Sequence, residues 1–252
     1  MGDKIKVLLI GESWMIHTME AKGFDVFYAD SYGEGKEFIQ EALTTDGIEF
    51  EHMPCHKVSV DFPTTVEDLN AYDVILVSDI GANTFLLPVE TFLHSKTSAN
   101  KLQLLHDWIQ QGGGFCMIGG YLSFMGIEGK GRYYDTILEK ALPINFLSHD
   151  DRKEHPEGIS VNIDPQSHPI LKGLPSQIDG ILGYNKALPK DEANVIASIE
   201  NDPFIALWSY GEGRSLIYST DCAPHWSSPE FSSSETYKKL WQQIVKWLAK
   251  RL

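Results

Sequence analysis

Apolar residues follow two textures along this chain. Short unbroken runs at 7–10, 74–77 and 115–118 stand between stretches where apolar residues return every three or four positions. An unbroken run of that length marks a strand buried on both faces of a parallel sheet. Three-to-four spacing marks a helix with one buried face. Together with shorter apolar stretches, the first pattern predicts strands over 6–10, 25–29, 50–53, 73–78 and 115–118. The second predicts helices over 35–44, with Phe38, Ile39, Ala42 and Leu43 inward, and over 101–111. It also predicts a final helix over 234–250 that buries Tyr237, Leu240, Trp241, Ile244, Val245 and Leu248. Shorter helices are expected over 65–69, opened by the Thr64 and Thr65 hydroxyls, and over 134–142.

The order strand, helix, strand, repeated, is that of a doubly wound, mostly parallel α/β sheet with right-handed crossovers. Its pivot is the stretch 112–124. Gly112, Gly113 and Gly114 end a helix, a buried strand follows, and Gly119 and Gly120 break it sharply. Further on, 195–199, 204–210 and 215–219 read as strands. The last two are joined by Gly211-Glu212-Gly213-Arg214, which predicts an antiparallel ribbon near the C-terminus. Residues 125–132 read as a loop, the charged run 149–154 as a solvated face, and 168–174 as a loop into a short helix. No linker, repeat or low-complexity tract interrupts the chain, so 1–252 is expected to form one domain.

Composition narrows the partners. With 252 residues, 42% of them hydrophobic, the chain has enough apolar surface for a sizeable core. A net charge of -14 makes nucleic acid and anionic membrane poor partners. Cys55, Cys116 and Cys222 are an odd set without metal-type spacing, which fits a reducing cytoplasm. The apolar run 7–10 is too short for a signal-peptide core, and no later segment could span a bilayer. Lys6 stands where a myristoylation motif needs Ser or Thr. The expectation is a cytoplasmic protein with no cofactor.

In open α/β sheets ligands sit at the carboxyl ends of strands. Glu12, Ser13 and Trp14 follow the first strand, with His17 close by. Asp79 and Asn83 follow the strand at 73–78. Gly119, Gly120, Tyr121 and Ser123 form the central turn. Asp221, His225 and Trp226 follow the strand at 215–219, and Tyr184 and Asn185 open the last section. Two readings stay open for each group. Glu12 and Ser13 either open a helix or face a cleft. Asp79 and Asn83 either close a turn or join that cleft. Trp14, Tyr184 and Trp226 are either core or ligand walls. As a site, carboxylates that accept hydroxyl hydrogen bonds and aromatic faces that cover a ring suit a sugar-like or polyol ligand. Glu12 or Asp221 with His225 would then be an acid–base pair. No close His spacing points to a metal.

The helix, Gly112-Gly113-Gly114, strand and tight turn resemble the nucleophile-elbow region of class I glutamine amidotransferase-like proteins. Pro203 to Trp208 with Tyr210-Gly211-Glu212-Gly213-Arg214 looks like the closing ribbon of their ThuA-like branch. From Gly11-Glu12-Ser13-Trp14 to Asp221-Cys222-Ala223-Pro224-His225-Trp226, the chain is similar to a little-characterised bacterial family of glutamine amidotransferase-like proteins. The resemblance implies a flavodoxin-like fold. It also exposes a departure. The family's elbow cysteine is missing at Ile118-Gly119-Gly120-Tyr121, and its His-Pro-Glu segment is absent. Cys116 lies inside the preceding strand, where a thiol packs as a small hydrophobe. Without an elbow thiolate there is nothing to form a glutamyl thioester. Two function classes remain: an enzyme of hydrolase or isomerase type on a small carbohydrate-like substrate, and a non-catalytic binding or assembly module. Cys222, beside Asp221, is the one candidate for a displaced nucleophile. Relatives of this fold often pair, so a homo-oligomer, most simply a two-fold dimer, is expected.

Overall fold

The computed structural model describes residues 4–252. Thirteen strands occur in chain order: β1 (Ile5–Gly11), β2 (Ser13–Lys22), β3 (Asp25–Glu34), β4 (Ile48–Met53), β5 (Val74–Ser78), β6 (Gly114–Ile118) and β7 (Ile144–Phe146), then β8 (Arg152–Ile163), β9 (Gln177–Asn185), β10 (Ala187–Pro189), β11 (Asn194–Ile199), β12 (Asp202–Tyr210) and β13 (Gly213–Tyr218). Nine of them form one sheet in the order β4-β1-β5-β6-β13-β12-β11-β8-β9. The ladders from β4 to β13 are parallel, and those from β13 to β9 are antiparallel. This is the α/β sheet with a C-terminal antiparallel ribbon that the pattern predicts, and β6 lies inside it between β5 and β13.

The unbroken apolar runs arise because the sheet is covered on both faces. Val7, Leu9, Val74, Leu76, Cys116 and Ile118 enter the core layer under the C-terminal helix, Glu235–Leu248. Leu8, Ile10, Ile75, Val77, Phe115 and Met117 enter the opposite layer, under helix Lys101–Gln110. Alternate side chains thus serve different cores, and no polar position is needed between them. The C-terminal helix begins where the Ser234 hydroxyl accepts the Tyr237 amide. It buries Tyr237, Leu240, Trp241, Ile244, Val245 and Leu248, as its spacing predicts, and Trp247 besides. Cys116 is fully buried, and burial pushes its thiol well above the usual range.

Three expectations are corrected. The helix expected over 134–142 shrinks to a 3₁₀ turn, Ile137–Ala141. Asp135 sits at φ 57 and breaks the helix before it starts. Pro143 restrains Leu142 to extended backbone and stops the turn after it. The expected strand at 25–29 is half of a larger object. β2 and β3 pair in unbroken register from Ser13–Glu34 to Lys22–Asp25, a two-stranded arm apart from the main sheet. The run 149–154 is solvated at His149, Lys153 and Glu154 as expected, but Asp151 within it is 2% exposed.

Candidate functional site

Parallel pairing brings the ends of β1, β5, β6 and β13 to one edge, at Gly11, Ser78, Ile118 and Tyr218. Each is followed by a break in the backbone. Glu12 and Asp79 take the left-handed conformation at φ 47 and 43, which ordinary side chains resist. Such strain, about 1–3 kcal/mol each, persists where the surroundings demand it, and it gathers at functional sites. Here it leaves the two carboxyl groups close enough to Asp221 that its charge adds to burial in raising both of them. Gly11 is required for the approach: a Cβ there would lie 1.7 Å from the Ser78 carbonyl oxygen. At Gly119 a Cβ would lie 2.2 Å from that of Ser219.

The floor of the cluster is dry. Glu12, Ser78, Asp221 and Cys222 are fully buried. The Ser78 hydroxyl donates to Glu12 Oε1, and the Cys222 thiol reaches the same oxygen at 3.6 Å. Glu12 Oε2 is buried without a hydrogen-bond partner. Burial, with Asp221 and Asp79 adding repulsion, pushes the Glu12 carboxyl well above the usual range. The Cys222 thiol is raised well above its range by burial and by the neighbouring carboxylates. It is a neutral thiol under a carboxyl group, which argues against a displaced nucleophile.

The rim is open and aromatic. His225, with a side chain 37% exposed, places Nδ1 3.1 Å from Asp221 Oδ2. Asp221 Oδ1 accepts the Ala223 amide at 2.8 Å. That pairing with Asp221 raises the His225 pKa against the pull of burial. The Trp14 ring lies 5.4 Å from His225 and the Tyr121 ring 6.2 Å from it. Trp226 stands 5.2 Å behind Tyr121 and is only 1% exposed, so it belongs to the packed wall and not to the open rim. Asp79 accepts the Leu122 amide at 2.7 Å, and its own amide donates to Ser123 Oγ at 3.0 Å. Burial and Asp221 push Asp79 up to about 6.

The sequence-predicted residues divide accordingly. Glu12, Asp79, Asp221, His225, Trp14, Tyr121 and Trp226 come together. Gly119, Gly120 and Ser123 form the turn beneath them. Asn185 supports that turn, accepting the Gly120 amide at 2.9 Å and donating to Asp151 Oδ1 at 2.8 Å. Ser13 serves the scaffold: its hydroxyl accepts the Cys55 amide at the start of helix Cys55–Asp61. It also lines, with Trp14, Met15, Tyr32 and Thr84, a neighbouring cleft of about 320 Å³. Three expectations do not hold in the geometry. Tyr184 is core: it is fully buried and donates to Asp202 at 3.0 Å, away from the cluster. Asn83 is exposed on helix Ala82–Leu86, because that helix turns its Ala82 and Phe85 face inward. His17 is carried out along the arm, paired with Asp30 and 74% exposed.

The charged run supplies residues the pattern did not single out. Asp151 accepts the Met125 and Gly126 amides at 2.8 and 2.9 Å and so ties the elbow loop to Asn185. Arg152 lies 5.4 Å over the Tyr121 ring, and Glu154 accepts the Trp226 indole N–H at 2.9 Å. The only sequence signal was that these charges border a strand. Among the described residues, Glu12, Asp221 and Cys222 are the group whose ligand atoms lie close enough to hold a metal ion, within 4.8 Å.

The chain is similar to two Salmonella typhimurium proteins of known structure. Cytoplasmic Protein STM3548 shares 43% identity and a TM-score of 0.93, over 97% of this chain and 99% of that one. Cytoplasmic Protein STM1381 shares 40% and 0.92, over the same 97% and 99%. A ThuA-like protein from Bacteroides uniformis matches at 14% identity and TM-score 0.60, over 98% of this chain and 91% of that one, a likeness of fold alone. No curated protein matches. No described helix is long and apolar enough to cross a membrane. Residues 6–250 match the family described as "Putative glutamine amidotransferase", and the chain belongs to that family.

Proposed function

We propose that the rim binds a small hydroxyl-rich metabolite of carbohydrate or polyol type. His225, held by Asp221, exchanges a proton with it. The observation that carries this reading is the partly exposed His225, held by the buried Asp221, between the Trp14 and Tyr121 rings. The aromatic faces would cover the apolar side of a ring, and Asp79 would accept its hydroxyls. With the imidazole anchored at Nδ1, Nε2 is the nitrogen left to serve a ligand. Glu12 lies too deep to touch that ligand and acts by shaping the field around Asp221. Glutamine hydrolysis is not part of the proposal, since no thiol stands at the Gly119-Gly120 turn.

Two names support a cytoplasmic location, those of the Salmonella relatives. A second reading, a binding module that keeps only the fold, is favoured by the dry floor. Its one thiol is buried and neutral, and Glu12 is sealed from solvent. A thermal-shift and calorimetric screen against monosaccharides and polyols tests the proposal. A binder should stabilise the protein, and His225→Ala should weaken it about 30-fold, the worth of one charge-assisted hydrogen bond. A screen without any binder, or a binder indifferent to His225→Ala, overturns it. A binder that is never consumed selects the module.

A further inference from the structure

The arm formed by β2 and β3 is the largest feature that the site does not use beyond its base. Ten cross-strand pairs run from Ser13–Glu34 to Lys22–Asp25. All of its residues from Met15 to Tyr32 are exposed. Directly paired residues share a face. One face therefore carries Met15 with Tyr32, Met19 with Tyr28 and Ala21 with Val26, interrupted by the His17–Asp30 pair. Met15, Met19, Tyr28 and Tyr32 on it are 55%, 64%, 75% and 43% exposed. The other face carries Ile16 and Phe27, and Phe24 at the tip is wholly in solvent.

A lone two-stranded ribbon is marginal in water at best, and beyond its base, where the Tyr32 ring meets His56 edge-on at 5.5 Å, this one has no core on either face. The face of Met15, Met19, Tyr28 and Tyr32, with Phe24 at the tip, presents apolar surface on the order of 700 Å², at about 150–250 Å² for each fully exposed large side chain. A typical monomer's largest patch is about 300–600 Å². A standard interface buries about 800 Å² per partner. The arm alone thus offers nearly one partner's share of a stable interface.

We propose that the arm docks on a second copy of this chain, against the apolar surface of Leu87, Val89, Phe92 and Leu93. Three observations select that occupant. That surface is a second cluster of exposed apolar side chains among the described residues: the four are 43–69% exposed, and helix Val89–His94 buries none of its residues. A two-fold axis would cover both regions at once, because each copy supplies an arm and receives one. The arm itself carries Lys22 against Glu20, Asp25, Asp30 and Glu34, which disfavours nucleic acid and anionic lipid. The base of the arm also forms the wall of the site. Gly33 lies so close to Trp14 that a Cβ there would meet the indole nitrogen at 2.6 Å, and Trp14 faces His225. Docking would therefore fix the arm and the Trp14 wall together.

Light scattering and sedimentation velocity on the full chain test this. The wild type should run at twice its 28.3 kDa mass. Met19→Lys with Tyr28→Lys, and separately Phe92→Lys with Leu93→Lys, should each raise the dissociation constant about 100-fold, tenfold for each anchor lost. All four side chains are exposed, so far-ultraviolet dichroism should stay unchanged. As a second measurement, copies bearing only Met19→Cys and copies bearing only Phe92→Cys should form a mixed disulfide when combined with oxidised glutathione as the electron acceptor. A monomeric wild type at tens of micromolar overturns the proposal, and so does assembly unchanged in either double variant. A monomer that instead sediments with phosphatidylcholine vesicles also overturns it and assigns the arm to a lipid surface.

Discussion

The floor and the rim of the acidic cluster are built from the same residue types and behave as opposites. Glu12 and Asp79 both follow a buried parallel strand, both sit at positive φ, and both face Asp221. Glu12 has lost all solvent and keeps one oxygen without a partner. Asp79 keeps some solvent and the Leu122 amide, and rises only to about 6. Position along the strand end thus decides which carboxyl stays protonated and which one titrates in the physiological range. Within the floor, Glu12 and Cys222 form a fixed, neutral base plate beneath Asp221. The rim supplies the groups that can change charge when something binds.

Asp221 joins the two layers, so its loss should have the largest effect. It is fully buried and holds both the Ala223 amide and His225. Asp221→Ala leaves those partners unmatched beside Glu12. Breaking a fully buried charged pair costs about 3–5 kcal/mol, and with His225 37% exposed the cost here falls toward the lower end. At about 2–4 °C per kcal/mol for a chain near this size, the thermal midpoint should fall by roughly 6–12 °C. Calorimetry on the variant checks this. A loss under about 2 °C would mean that floor and rim are not coupled through this residue.

His225→Ala should cost less, and the cost should depend on pH. Asp221 raises the His225 pKa in the folded protein. The stability this pairing adds is fully present below the unfolded value of about 6.5 and is lost as pH rises through the raised folded value. The variant should therefore fall furthest behind the wild type near pH 5.5 and approach it near pH 9. A deficit equal at both values would show that the pairing does not involve a protonated imidazole.

How much of this the sequence discloses depends on which physical rule each region obeys. β1, β5 and β6 were legible because a strand covered on both faces must be apolar at every position, and their carboxyl ends then share one edge. That logic brought Glu12, Asp79 and Tyr121 together without any family likeness. It fails for the run 149–154. Asp151 is buried by hydrogen bonds to two loop amides and Asn185, partners that lie 25 or more residues away. A charged run looks alike whether it is solvated or tied down. It fails for Tyr184, whose partner Asp202 comes from a later strand. The arm was half seen, since β2 and β3 pack on no core. Their alternation marks no inward face, and His17 followed the arm outward. β8 and β9 were hidden for a related reason: their antiparallel ladder is irregular and half exposed.

The floor can be tested without disturbing its shape. Glu12→Gln keeps the oxygen that accepts from Ser78 and removes the ionisable group. Because the folded pKa lies above the unfolded one, wild-type stability falls as pH climbs from about 4.5 toward the folded value. The variant carries no such penalty. It should match the wild type near pH 4 and be the more stable protein near pH 8, as thermal melts at the two values will show. A variant less stable at pH 8 would mean that Glu12 is ionised in the folded state and paired with something.

The smallest effect expected is at the rim, from Asp79→Asn. Asparagine still accepts the Leu122 amide, so the elbow should keep its geometry. What disappears is a charge that Asp79 carries above about pH 6. Two consequences separate this from a structural defect. Asp79 contributes to raising the His225 pKa, after the larger effect of Asp221, so proton NMR titration of His225 should move downward in the variant. Any inflection near pH 6 in ligand affinity should also vanish, leaving only the His225 step above it. If the inflection survives and His225 does not move, the two groups do not sense each other. The rim would then be a set of neighbours rather than one titrating unit.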